Sequence, residues 1–246
     1  MQTAVLIVGH GTREFEGTYG FLELVSSVQR QIPSYVQPAF LEIASPSVPE
    51  GAEHCLSTGA RRLLVIPLFL FGGRDIKKKL PEAIEDFQRR NPQLAVTISP
   101  PVGPDHRIIE ILKERLISAI QSAPSPDTAV LLVARGFSDQ DAIAEMEKVR
   151  IVFAQETGLR TVRHAFVEIA SPSIAEGIQA CLVSQTKKVV VLPYLLFPGS
   201  MLKKIVNQIE AIRSRQTGEA SILVADCLGP HPKLAELLIE RIRKEL

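Results

Sequence analysis

The chain has 246 residues, 46% of them hydrophobic, and 28 Lys and Arg against 27 Asp and Glu leave a formal net charge of +1. That balance gives no general field to attract nucleic acid or an anionic membrane, so neither is an expected partner and an anionic ligand must be held by local basic groups. No apolar run nears the roughly 20 residues of a membrane span, and Ala4–Val8 is too short, and lacks the basic flank, for a secretory signal.

In chain order, the first elements are a strand at Thr3–Val8, the loop Gly9-His10-Gly11-Thr12-Arg13, a helix near Phe15–Gln31 and a strand near Val36–Glu42. A helix is expected near Pro49–Ser57, because Ser47-Val-Pro-Glu50 has the S-x-x-E form of a capping box. A strand at Arg62–Leu68, a helix at Ile76–Arg90, a strand at Ala95–Ser99 and a helix at Arg107–Gln121 follow. Short β-branched runs alternating with longer helical patterns mark βαβ units and a parallel sheet, and continuous apolar strands such as LLVIPLFLF suit a sheet covered on both faces. Ser122 to Asp127 is a short, turn-rich linker, and from about Thr128 the same order begins again.

The second round repeats the first in detail. FLEIASPSVPEG at Phe40–Gly51 returns as FVEIASPSIAEG at Phe166–Gly177, a spacing of 166 − 40 = 126. Pro67 with Pro193, Phe71 with Phe197, Cys55 with Cys181 and Gly103-Pro104 with Gly229-Pro230 keep that spacing. A period this long marks doubling of a whole domain, since solenoid repeats run about 20–50 residues. The expected fold is α/β, from internal duplication: residues 1–123 and 127–246 each form a parallel four-stranded sheet flanked by helices. Cys55, Cys181 and Cys227 have no CxxC spacing and read as small buried hydrophobes, which fits a reducing cytoplasm.

In a doubly wound sheet, ligands sit beyond the carboxyl ends of the strands. His10 follows the first strand, Glu42 closes the second and Asp75 comes just after the third. An imidazole with two carboxylates can bind a divalent transition metal and can accept protons. Each residue also has a plain structural reading, as a loop histidine, a strand-end carboxylate or a helix-capping aspartate. The second half places Arg135 opposite His10 and Met201 opposite Asp75 and keeps only Glu168. One centre is therefore expected, in the N-terminal half, beside a degenerate copy. Lys77, Lys78 and Lys79 at a helix start oppose the helix dipole, which favours a partner for these charges such as a polycarboxylate ligand. The His10 loop also invites comparison with histidine phosphatases, whose nucleophilic His follows an Arg; here Gly9 holds that position.

VGHGTRE, FLEIASPSVPEG, ARRLLVIPLFLFGGRDIKKKLPEAI and GPDHR together resemble the sirohydrochlorin chelatases of the CbiX/SirB type, class II tetrapyrrole chelatases, in their long two-domain form. The resemblance covers nearly the whole chain. It implies two chelatase-like domains and a lyase inserting Co²⁺ or Fe²⁺, with Ni²⁺ a further candidate, into sirohydrochlorin or a related tetrapyrrole. That reaction serves cobalamin or sirohaem biosynthesis, with the metal as substrate and no permanently bound cofactor. His10 and Glu42 would handle the metal and the pyrrole protons, and Asp75 would complete the ligand set where members commonly carry a second His. Arg13, Arg74, Lys77, Lys78 and Arg135 are the candidate cations for the substrate's carboxylates. The chain would be a monomer or a homodimer. The alternative is a non-catalytic metal or tetrapyrrole carrier.

Overall fold

The computed structural model describes residues 2–73, 75–183, 185–215 and 220–246. The first repeat runs β1 (Thr3–Gly9), α1 (Phe15–Gln29), β2 (Val36–Phe40), α2 (Val48–Ser57), β3 (Arg62–Pro67), α3 (Leu80–Arg90), β4 (Ala95–Ile98) and α4 (His106–Ile120). The second runs β5 (Thr128–Ala134), α5 (Gln140–Thr157), β6 (Thr161–Phe166), α6 (Ile174–Cys181), β7 (Lys188–Pro193), α7 (Ser200–Arg213), β8 (Ser221–Val224) and α8 (Pro232–Glu245). Each forms a four-stranded sheet, in the orders β2-β1-β3-β4 and β6-β5-β7-β8, and every pairing is parallel. This is the α/β architecture expected from the sequence.

Both capping boxes form. Ser47 accepts from the Glu50 backbone N–H while the Glu50 carboxylate accepts from the Ser47 backbone N–H, and Ser173 with Glu176 does the same. Each helix start is therefore fixed just after its strand, by reciprocal satisfaction of orphan backbone donors.

Compact units and sequence repeats divide the chain differently. One unit comprises Met1–Asp105 with Gly229–Leu246, and the other comprises His106–Leu228. In the first, Leu6, Val8, Leu63 and Val65 pack against Ala52 and Cys55 of α2 and Leu80, Ile84 and Phe87 of α3, while α8 lies against α1 and β3. In the second, Leu131, Val133, Val189 and Val191 pack against Ile178 and Cys181 of α6 and Ile205 and Ile209 of α7, and α4 lies against α5, β7 and β8. The last helix of each repeat thus joins the sheet of the other.

Equivalent arginines hold these exchanged helices. Arg241 of α8 donates to the carbonyls of Pro100, Pro101 and Val102 at 2.9, 2.7 and 3.0 Å. Arg115 of α4 donates to the Leu228 carbonyl at 3.2 Å. A repeat cut at residues 123–127 carries its own sheet with the helix that belongs to the other.

The third helix also differs from expectation. A π-helical turn at Asp75–Lys79 precedes α3, which begins at Leu80 with Pro81 in its first turn. Phe71 and Phe197 still stand 197 − 71 = 126 apart, whereas the core positions Leu80 and Ile205, and Ile84 and Ile209, stand 205 − 80 = 125 apart. The first repeat has one extra residue between these points, and a π turn is how a helix absorbs one without turning its apolar face from the core. Counting back from Ile205, Ser200 rather than Met201 stands opposite Asp75.

Candidate metal centre

The strand ends that carry His10 and Glu42 are locked together. Beyond the last β1–β2 pair, Leu41 N–H donates to the Gly9 carbonyl at 2.8 Å and Glu42 N–H to the His10 carbonyl at 3.0 Å. Gly11 crosses directly over this junction at φ +97°, and an added Cβ would overlap the Glu42 carbonyl oxygen. Only glycine allows that approach and that dihedral together. Immediately after the carboxylate, Ala44 N–H donates to the Glu42 carbonyl at 2.7 Å around Ile43, whose φ is +71°. This is the rare, strained form of γ-turn, and with a β-branched residue at its centre it costs on the order of 1–3 kcal/mol.

The residues expected at the site come together, joined by one lysine of the basic run. Lys79 Nζ lies 2.5 Å from Glu42 Oε1 and 2.8 Å from Asp75 Oδ1. His10 Nε2 lies 3.9 Å from Asp75 Oδ2. The two carboxylates, Asp75 foremost, hold the Lys79 ammonium above its ordinary pKa, so it stays charged across the neutral range. Among the described residues no group of three or more His, Cys, Asp or Glu side chains stands ready to hold a metal ion. The expected set of His10, Glu42 and Asp75 is interrupted because an ammonium lies between the two carboxylates.

His10 Nδ1 is buried and has no hydrogen-bond partner among the described residues, while the ring lies 6.2 Å from that of Phe69 at a tilt of 30°. A buried polar atom without a partner costs about 1–3 kcal/mol and calls for an explanation in an ion, a water or a functional rearrangement. An imidazole beside two carboxylates is a mixed N,O donor set of the kind that can hold a divalent first-row metal.

The second unit carries the same frame with different charges. Glu168 N–H donates to the Arg135 carbonyl at 3.0 Å, Gly136 crosses over the Glu168 carbonyl at φ +110°, and Ile169 repeats the γ-turn at φ +71°. Lys204 Nζ lies 2.7 Å from Glu168 Oε2, and Arg135 Nε 3.5 Å from Oε1. The Lys204 hydrogen bond, with the fields of Lys204 and Arg135, holds Glu168 below the usual carboxylate range. In the register set by the core, Lys204 is the counterpart of Lys79, so the carboxylate–lysine pair is common to both units. The signal that could have shown this was the slip from 126 to 125 across the third helix.

The remaining candidates are more dispersed. Arg13 and Lys77 are exposed, and Lys78 pairs with Glu82 at 3.8 Å. Arg135 is engaged with Glu168, and Arg74 lies outside the described residues. Three other histidines do structural work: His164 pairs with Glu147 at 3.2 Å, His106 with Glu110 and Glu156, and His231 caps α8.

The CbiX family model matches residues 4–119 and again 129–245, which together exceed half of the chain. The chain belongs to the CbiX family. Within it, the chain is 33% identical to a sirohydrochlorin cobaltochelatase of Priestia megaterium, over 99% of this chain and 80% of that protein. It is 32% identical to a sirohydrochlorin ferrochelatase of the same organism, over 98% and 89%. Its fold matches that of SirB from Bacillus subtilis with Fe³⁺ at a TM-score of 0.87 and 23% identity, over 99% of this chain and 95% of that one. The double CbiX match coincides with the sequence repeat, so the family's unit is the repeat even though the compact units exchange their last helices.

Proposed function

We propose that this chain is a sirohydrochlorin chelatase, a lyase that inserts Co²⁺ or Fe²⁺ into the tetrapyrrole. The observation that carries the reading is the His10–Asp75–Lys79–Glu42 cluster at the carboxyl ends of β1 to β3, in a chain whose full-length relatives bear both cobaltochelatase and ferrochelatase names. The reaction exchanges M²⁺ for two pyrrole N–H protons, so the site must hold a dication and then accept two protons. His10 takes the incoming ion through Nε2, and Asp75 and Glu42 complete the donor set once the Lys79 ammonium withdraws. As the ion passes to the ring, His10 and Glu42 are free to accept the protons it displaces. His10 must be neutral for either role.

Arg13, Lys77 and Lys78 are the proposed contacts for the substrate's carboxylate rim, with Arg74 and Arg135 as further candidates. No helix among the described residues is long and apolar enough to cross a membrane. The test is spectroscopic: protein added to sirohydrochlorin and Co²⁺ or Fe²⁺ should speed the absorbance change of metallation over the spontaneous rate, and His10→Ala should abolish the gain. Equal rates with and without protein would leave a carrier in place of an enzyme. Running the two metals in competition assigns the preferred one.

A further inference from the structure

Ile43 holds a backbone conformation for which its packing offers little compensation. It follows Glu42 directly, its φ of +71° is one that a β-branched side chain strongly resists, and the residue is 60% exposed. Burial in a core commonly offsets such strain, and Ile43 has little. Asn or Gly would occupy the turn with less strain. The turn is also tied to the cluster, because the carbonyl that closes it belongs to Glu42, whose own N–H bonds to the His10 carbonyl. The conformation therefore holds an apolar side chain out to solvent beside a group of charged ones.

The second unit separates this projection from metal binding. Ile169 has the same φ of +71° and is 69% exposed, although Arg135 stands there in place of His10 and the position opposite Asp75 carries no carboxylate. What persists without the imidazole and the second carboxylate is the glutamate, its lysine and the projecting isoleucine.

From this geometry we infer that Ile43 is a substrate contact: its side chain packs on the apolar face of the tetrapyrrole macrocycle while the neighbouring cluster handles the metal. The inference rests on the chelatase reading and adds a residue that holds the organic part of the substrate. A planar conjugated ring with a charged rim needs an apolar surface next to the metal donors, and Ile43 is one residue from Glu42. Its contact positions the ring and takes no part in proton or metal transfer.

The experiment uses Ile43→Gly and Ile43→Asn, both of which suit a positive φ. Metal-free sirohydrochlorin is titrated into each full-length protein and binding is followed by the macrocycle's fluorescence, with a parallel Co²⁺ titration and a thermal melt. Removing an aliphatic contact of this size should weaken sirohydrochlorin binding about threefold to tenfold. Co²⁺ affinity should stay unchanged and Tm should equal or exceed that of the wild type; KM should rise with kcat preserved. Unchanged sirohydrochlorin affinity in both variants would overturn the inference and leave the chelatase reading intact. So would a fall in Tm accompanied by loss of Co²⁺ binding, which would make Ile43 a structural residue. If the wild type itself binds no sirohydrochlorin, the chelatase reading falls and this inference falls with it.

Discussion

Lys79→Met tests whether the ammonium competes with the incoming metal or assists it. In the resting site Lys79 makes ion pairs at 2.5 Å with Glu42 and 2.8 Å with Asp75, and a dication using these carboxylates must displace it. The side chains are partly exposed, Lys79 at 37%, Glu42 at 40% and Asp75 at 25%, so each pair is screened by solvent and worth about 0.2–1 kcal/mol. Giving up both costs about 0.4–2 kcal/mol, which is about 2- to 30-fold in metal affinity. A direct estimate agrees, since unit charges 4 Å apart in bulk water interact by about 1 kcal/mol and a dication against a retained ammonium meets about twice that. Calorimetric titration of the tetrapyrrole-free protein with Co²⁺ should therefore show tighter binding by Lys79→Met, by about tenfold at low salt. The gap should narrow as salt screens the pairs in the wild type. Equal or weaker Co²⁺ binding by the variant would refute displacement and make Lys79 a support for the carboxylates.

Gly11→Ala should destabilise the protein by about 2–4 kcal/mol, because its Cβ would overlap the Glu42 carbonyl and φ is +97°; a melt unchanged from the wild type would remove the close-approach argument. The thiols of Cys55, Cys181 and Cys227 are buried and pushed up to about 12, so a thiol reagent at neutral pH should label none of them in the folded protein and all three after denaturation. Glu168 is held below its ordinary pKa by Lys204, so the stabilisation from that pair is present above the unfolded carboxylate pKa and is lost as pH falls through the folded one. Lys204→Met should accordingly lower stability by about 0.2–1 kcal/mol at pH 7 and by progressively less towards pH 3 in denaturant titrations. A difference that persists at pH 3 would show that the lysine acts through packing.

Much of this fold was legible because its determinants are local. Alternating apolar strands, the Ser47–Glu50 and Ser173–Glu176 capping boxes and the Glu42-bearing phrase each act over a few residues, and each formed where the pattern put it. The exchange of α4 and α8 was not legible, because which sheet an amphipathic helix covers depends on packing between segments more than a hundred residues apart. Arg115 and Arg241 are equivalent arginines in a helix, and nothing about a lone arginine reveals which loop carbonyls it will reach. In the site, strand ends named His10, Glu42 and Asp75 correctly as neighbours. Lys79 was hidden inside a basic triplet that reads as solvated surface. Its role follows from the π turn, which sets the phase of that triplet against the core, and a single extra residue in a helix leaves little trace in a pattern of charges.

On the proposed reading, the charges of the two units favour metal delivery at the first frame and oppose it at the copy. With His10 neutral, Glu42, Asp75 and Lys79 carry one net negative charge, and a dication that displaces a single ammonium meets two carboxylates and an imidazole. Glu168, Arg135 and Lys204 carry one net positive charge, and a dication there would have to displace two cations to reach one carboxylate. The backbone around both is the same: a glycine crossing over the glutamate carbonyl, then a γ-turn on isoleucine. The difference lies in two positions, His10 against Arg135 and Asp75 against Ser200. Reversing only Arg135 would still leave Lys204 on a lone glutamate, so Arg135→His should fail to create a Co²⁺ site comparable to the first. Calorimetry on that variant would show no second binding event, and a second event of matching affinity would mean that a second carboxylate, which Asp75 supplies in the first unit, is dispensable.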